Sequence, residues 1–207
     1  MIKRYSLLFF VLTLLLTSCQ EKRYITTRGQ VYGTTYSITY EYECELRYEI
    51  TEVLDDIDYS LSPFNEKSVI TKVNNNEPAK LDNHFLYVYE TAMKVSDDTE
   101  GAFDITVAPL VNAWGFGFKK GNKPSEIQVD SLKELVGYKK LSIVNNTVIK
   151  TNPNIMLDCS AIAKGYGVDA VANMLREKGI QNFLVEIGGE IVTSGVNSKG
   201  KPWRVGV

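Results

Sequence analysis

From residue 31 to 42 the chain reads V-Y-G-T-T-Y-S-I-T-Y-E-Y, a β-branched and aromatic run broken early by Gly33, which predicts a strand bulged at that glycine. The period then lengthens. Leu46, Ile50, Val53, Leu54, Ile57 and Leu61 recur at three- and four-residue steps and predict an amphipathic helix that breaks at Pro63. Asp55 and Asp58 share a face of it and, with Asp56, read as its solvated side rather than as a metal cluster. A second helix is expected from about Val69 to Val73, closed by the Asn74-Asn75-Asn76 turn. A third, capped by Asp82 or Asn83, carries Phe85, Val88, Tyr89, Ala92 and Met93 and stops before Gly101. The segment from Gly101 to Gly117 is expected to begin as a short strand, stop at Pro109 and end in an aromatic-glycine loop around Trp114 and Phe116. After a polar linker from Lys119 to Pro124, Asp130 starts a short helix ending at Gly137. Leu141–Val144 and Thr147–Lys150 then form a hairpin across Asn145-Asn146.

The stretch Leu157 to Asp169, L-D-C-S-A-I-A-K-G-Y-G-V-D, follows the apolar Ile155, Met156 and Leu157 and runs into apolar positions Val168, Val171, Ala172 and Leu175. It reads as a strand, a tight turn and a helix start, with Gly179 as the helix stop. The N–H groups of such a start attract anions, and Gly165 and Gly167 let another molecule approach the backbone. Asp158 and Ser160 either cap the helix or, for Asp158, face a ligand; both readings stay open. Phe183 to Ile187 is a further strand, running into Gly188-Gly189, which is either a simple turn or a place where backbone meets ligand. Residues 202–207 alternate like one more strand, and an open edge there leads to the expectation of a fragment of a longer protein.

The N-terminus changes the picture of where the chain works. Lys3 and Arg4 precede an apolar run from Leu7 to Leu16 and then Thr17, Ser18 and Cys19, the pattern of a signal peptide over residues 1–18. The run is short for a membrane span. L-T-S-C resembles the lipobox of bacterial lipoproteins, which implies cleavage before Cys19, its acylation, and an exported protein held on a membrane, with residues 19–30 as a tether. Loss of residues 1–18 removes Lys3 and Arg4 and no acid, taking the formal charge from -2 to -4. An acidic chain without a basic stripe argues against nucleic acid as a partner. Three cysteines, one of them Cys19, make no disulfide framework; Cys44 and Cys159 remain and could pair.

Several familiar chemistries are absent. There is no Walker A loop, Gly165-x-Gly167 lacks the third glycine of a dinucleotide fingerprint, and the cysteines are too few for a zinc site. His84, the only histidine, sits in the first turn of the third helix and reads as a surface residue, which argues against Ser-His-Asp and Cys-His catalysis. What remains is a set of turns joining carboxylates, glycines and aromatics. Phe64, Phe103, Trp114 and Tyr166 sit at breaks, where aromatics either wall a planar ligand or fill the core.

Together these pieces resemble the ApbE-type flavin transferases, the FAD:protein FMN transferases. Y-G-T at Tyr32–Thr34 looks like that family's opening M-G-T, with Tyr in place of Met. S-P-F at Ser62–Phe64, with Ser68 and Asn74, resembles a second segment. G-A-F-D-I-T-V-A-P-L-V-N-A-W-G-F-G is nearly the family's signature, and L-D-C-S-A-I-A-K-G-Y-G-V-D with the later G-G-E-I matches the rest. The resemblance implies an α+β fold, with mixed or antiparallel sheets and packed helices in a single ApbE-like (T-fold-like) domain covering residues 31–207, its C-terminal part missing. It implies Mg²⁺-dependent transfer of FMN from FAD to a Thr or Ser of a partner, with AMP released and flavin-carrying subunits of membrane redox pumps among the partners. FAD contacts would fall on Tyr32, Phe64, Ala102, Phe103, Asp104, Asp158 and Lys164, and the Mg²⁺ site would include the Ala161 carbonyl. The family's pattern continues past Val207 with further metal ligands, so the metal site is expected to be half-built here and the 207-residue chain alone inactive. An FAD pyrophosphatase and a non-catalytic flavin-binding lipoprotein are the alternatives.

Overall fold

The computed structural model describes residues 22–117 and 123–206. Its first element is a hairpin. β1 (Arg23–Val31) and β2 (Thr34–Tyr42) pair antiparallel through the two-residue turn Tyr32-Gly33, with φ 51° and 72°. A turn left-handed at both positions matches the twist of the strands it joins. Gly33 is therefore a hairpin residue and not a bulge. The tether expected over residues 19–30 is, from Arg23 onwards, strand. Its polar look has a physical cause: β1 is the sheet edge, and Thr27 is its one fully buried residue.

Two helices cover the sheet. In sequence order they are α1 (Arg47–Leu61) and, far downstream, α6 (Ser160–Glu177), with α2 (Val69–Asn74), α3 (Asn83–Asp98), α4 (Ala108–Ala113) and α5 (Glu126–Lys133) between. β3 (Leu141–Val144) and β4 (Thr147–Lys150) make a separate hairpin, and β5 (Phe183–Ile187) and β6 (Glu190–Ser194) complete an antiparallel sheet in the order β1-β2-β5-β6. Tyr36, Ile38 and Tyr40 of β2 and Phe183, Val185 and Ile187 of β5 share a core with Ile50 and Leu54 of α1 and Val168, Val171 and Leu175 of α6. The other core joins the far end of α1 (Ile57, Leu61) to α2, α3 and Ile155, Leu157 and Cys159. Tyr32 packs on both, at the seam.

The fully buried Tyr40 carries a polar duty in the first core. Its hydroxyl accepts from the Leu46 N–H at 2.7 Å, at the start of α1, and bonds the Thr27 hydroxyl at 3.1 Å. Tyr40→Phe strands a buried donor and is expected to cost about 1–3 kcal/mol. Urea unfolding measures it, and a change below about 0.5 kcal/mol contradicts the assignment.

Four expected elements differ. No strand follows Gly101: Asp104 caps a 3₁₀ turn (Ile105–Val107) that runs into α4, where Pro109 sits in the first turn and its missing N–H costs nothing. α5 begins before Asp130, because Ser125 and Gln128 form a reciprocal capping box. Among the described residues Ile155–Leu157 belongs to no strand and pairs in no sheet. Among the described residues the last segment forms a bridge from Pro202 to Val196, with the Trp203 indole donating to the Ser194 carbonyl at 2.8 Å, and no strand. The signal peptide, Cys19 and most of the Lys119–Pro124 linker lie outside the described residues. Among the described residues no helix is long and apolar enough to cross a membrane.

Candidate functional site

The segment entering α6 is held by side chains where a strand would be held by a neighbour. Lys150 Nζ donates to the carbonyls of Val73 and Ile155, both at 3.0 Å, and its desolvation there lowers its pKa. The Leu157 N–H donates to Asn74 Oδ1 at 2.7 Å, while Asn74 Nδ2 donates to the Leu157 carbonyl at 2.9 Å. The Asp158 N–H donates to the Ile105 carbonyl at 2.8 Å. These bonds are why an apolar run that reads as a strand lies in no sheet.

Asp158 does one of the two things its position allows, and keeps an oxygen for the other. Its Oδ1 accepts from the Ser160 N–H at 2.8 Å, closing the turn that opens α6. Its second carboxylate oxygen has no partner among the described residues, and the residue is half-buried. Ser160 is the first helical residue and not the cap. The Cys159 carbonyl accepts from the N–H groups of Ile162 and Ala163, at 3.0 and 2.8 Å. Ala161 is exposed in the first turn.

Cys44 and Cys159 are both free thiols, the first exposed and the second buried. Burial, with the Asp158 charge adding, pushes the Cys159 thiol from an ordinary 9.0 up to about 12. Because the folded value is raised, the stability is intact below pH 9 and declines as pH rises towards 12, at up to about 1.4 kcal/mol per pH unit. Unfolding followed from pH 8 to 11 is expected to show that decline in the wild type and to show it weakened in Cys159→Ala. A flat profile in the wild type contradicts the burial.

Three of the motif segments meet along the next turns of α6. A Cβ at Gly167 would lie 3.3 Å from the Tyr32 ring, and the Tyr32 hydroxyl donates to the Leu54 carbonyl at 2.9 Å. Burial first, then Asp58 and Asp55, raise the Tyr32 pKa strongly, so its hydroxyl stays protonated. Gly188 turns β5 into β6 at φ 56°, close against Thr34 and the Lys164 stem. Gly165 lies on the opposite condition: nothing comes within 4 Å of a Cβ built there. A helical glycine costs about 1 kcal/mol against alanine, and among the described residues no neighbour demands it, so the space beside it stays open.

The remaining expected residues divide. Asp104 accepts through Oδ1 from the Thr106 N–H (2.8 Å) and hydroxyl (2.6 Å), and through Oδ2 from the Tyr138 N–H (2.7 Å). Both oxygens are thus committed to holding the 102–106 loop against the 137–138 turn. Phe103 is half-buried against the second core, Ala102 is exposed, and Phe64 is 67% exposed. His84 is more than a surface residue: it is half-buried, with Nδ1 2.7 Å from the Tyr166 hydroxyl. The Tyr166 ring stacks on Tyr87 at 5.2 Å, and burial, then Tyr87 and Asp82, raise its pKa. The sequence signal for this trio was weak. His84 and Tyr87 share a helix face at i, i+3, and Tyr166 comes from a distant helix.

Asp158 keeps one acceptor, Lys164 a cation and Gly165 an open approach, while Tyr32 and Phe103 are half-buried aromatics. A hard divalent cation fits this set poorly. It takes several oxygen ligands, and among the described residues no three His, Cys, Asp or Glu side chains converge; the Ala161 carbonyl alone does not make such a site.

The fold is an α+β arrangement whose separate motifs meet at the start of one helix. Residues 32–207 match the ApbE family, and the chain belongs to it. It is 36% identical over 206 residues to the FAD:protein FMN transferase of Vibrio cholerae, covering 94% of this chain and 62% of that protein. It is 35% identical over 214 residues to that of Haemophilus influenzae, covering 95% and 62%. The solved flavin transferase ApbE from Vibrio cholerae superposes with a TM-score of 0.85 at 35% identity, covering 90% of this chain and 64% of that one. The fold is therefore the mixed α+β arrangement of antiparallel sheets and packed helices that the resemblance implied. The chain spans about 62% of the length of these two curated relatives.

Proposed function

We propose that the protein carrying this chain transfers FMN from FAD to a Thr or Ser hydroxyl of a partner flavoprotein. The observation that carries the reading is the meeting of four separate motif segments at Leu157–Gly167: Asn74 on Leu157, Ile105 on Asp158, Tyr32 on Gly167, and Gly188 on Lys164. The 36% identity to a protein named for this reaction supports it. The hydroxyl oxygen bonds to the FMN phosphorus, the bridging P–O bond breaks, and its electron pair leaves with AMP while the hydroxyl proton passes to solvent. A carboxylate accepts and does not donate, so the free Asp158 oxygen suits a hydroxyl or amine of the dinucleotide. The phosphates suit the Lys164 cation.

The Mg²⁺ requirement belongs to the same proposal, as do acceptors among the flavin-carrying subunits of membrane redox pumps. The test mixes the protein, in the longest form its gene encodes, with FAD, Mg²⁺ and a candidate acceptor domain. A fluorescent flavin band on the acceptor, lost with EDTA, is the expected result. Clean hydrolysis of FAD to FMN and AMP with every acceptor would instead make it a pyrophosphatase.

The L-T-S-C start supports export and acylation at Cys19, on a bacterial membrane. Wild-type protein is expected in the membrane fraction of cells and Cys19→Ala in the soluble fraction. Equal partition of the two would remove the anchor from the proposal.

A further inference from the structure

Asn74 is the last residue of α2, 5% exposed, and both polar atoms of its amide go to the two peptide groups of a single residue 83 positions away. In an antiparallel ladder a closely bonded residue pair exchanges one N–H and one C=O in this way. The Asn74 amide takes the place of the missing strand neighbour and holds both peptide groups of Leu157. Asp158 is the next residue in the chain, and its own N–H is fixed from another side by the Ile105 carbonyl.

We infer that Asn74 is a positioning residue for the ligand contact at Asp158, setting where the free carboxylate oxygen points. The inference rests on the proposed reading that Asp158 contacts FAD. α2 is itself anchored for the task. Ser68, its cap, accepts from the Thr71 N–H at 3.1 Å and donates to the Ser62 carbonyl at 2.7 Å. The segment from Ser62 to Asn74 thus works as a bracket, running from the S-P-F turn to the backbone beside the ligand contact. No other side chain of similar size supplies both halves. Aspartate lacks the donor for the Leu157 carbonyl and would set a buried charge against it, and alanine lacks both groups.

The same segment has a second fastening, Lys150 on the Ile155 and Val73 carbonyls, and Ile155 and Leu157 are fully buried. Loss of Asn74 alone therefore leaves the segment docked while freeing the peptide groups next to Asp158. This separates a positioning role from a merely structural one.

The experiment measures FAD dissociation constants by flavin fluorescence, with urea midpoints alongside, for the full protein and Asn74→Ala, Asn74→Asp, Lys150→Met, Asp158→Ala and the Asn74→Ala/Asp158→Ala double variant. Asn74→Ala and Asn74→Asp are each expected to weaken FAD binding about tenfold. The double variant is expected to bind within about threefold of Asp158→Ala, because the effect of Asn74 passes through Asp158. Lys150→Met is expected to lower the urea midpoint with affinity held within about twofold. Should Asn74→Ala fail to fold, Asn74→Ser, which keeps one donor and acceptor, carries the same comparison. Unchanged affinity in the Asn74 variants, full multiplication of the two losses in the double variant, or an equal affinity loss in Lys150→Met would each overturn the inference while leaving Asp158 as a contact. No loss in Asp158→Ala itself would instead overturn the reading of that contact, and the inference with it.

Discussion

Asp158→Ala is expected to weaken FAD binding about ten- to a hundredfold, while Asp55→Ala leaves it within about twofold. The two carboxylates differ in everything but charge. Asp55 is exposed on α1, and among the described residues no hydrogen bond holds it. Asp158 is half-buried, with its backbone fixed by Ile105, one oxygen closing the α6 turn on the Ser160 N–H, and the other free. A charge-assisted hydrogen bond from a preorganised carboxylate contributes about 1.5–3 kcal/mol, which sets the size of the effect. Asp158→Asn divides the two duties. Its amide oxygen keeps the turn bond from the Ser160 N–H, so the fold is expected to hold while the charged contact is lost. Titration of flavin fluorescence measures all three variants. Equal dissociation constants for Asp55→Ala and Asp158→Ala would mean that the ligand sits elsewhere.

Gly188→Ala is expected to destabilise the protein by about 2–5 kcal/mol and to weaken FAD binding with it. Two costs add. At φ 56° the residue is in the left-handed region, where a side chain costs roughly 1–2 kcal/mol. A Cβ there would also stand 2.7 Å from Thr34 Cγ2 and 3.2 Å from Lys164 Cδ. The Lys164 stem can swing away, but only by carrying its ammonium off the site, whereas Thr34 is fixed in β2. Thr34→Ser removes the methyl that is struck and is expected to restore part of the stability in the Gly188→Ala background. Thermal or urea unfolding checks both. A Gly188→Ala protein as stable and as tight for FAD as the wild type would contradict the close contact of these three segments.

Helices α1, α2, α3 and α6 were legible because a 3.6-residue pattern is written in the residues of the helix itself; α4 was not. Leu46, Ile50, Leu54, Ile57 and Leu61 name the buried face of α1, and all five are buried. The β3–β4 hairpin was legible for a similar local reason, since Asn145 and Asn146 both accept left-handed φ. Where the structure departs from expectation, the deciding partner is distant in sequence. β1 is polar along most of its length and is a strand only because β2 pairs with it from Arg23 to Val31. Ile155–Leu157 has strand-like residues, yet its backbone is satisfied by Asn74 and Lys150, which no local pattern announces. The site divides in the same way. Asp158, Lys164 and the glycines stood out through the turn they make. The commitment of both Asp104 oxygens to Thr106 and Tyr138, and the His84–Tyr166 bond, depend on contacts across 34 and 82 positions.

The central claim is that FAD is held and cut at the start of α6, with its FMN half passed to a partner. The most direct measurement counts both products of one reaction: AMP by chromatography and covalent flavin on the acceptor by intact-protein mass spectrometry, in wild type and Asp158→Ala side by side. Equimolar AMP and flavinylated acceptor, both falling together in the variant at subsaturating FAD, is the result this account predicts. AMP released without covalent flavin, or an Asp158→Ala variant that matches the wild type at every FAD concentration, would contradict it.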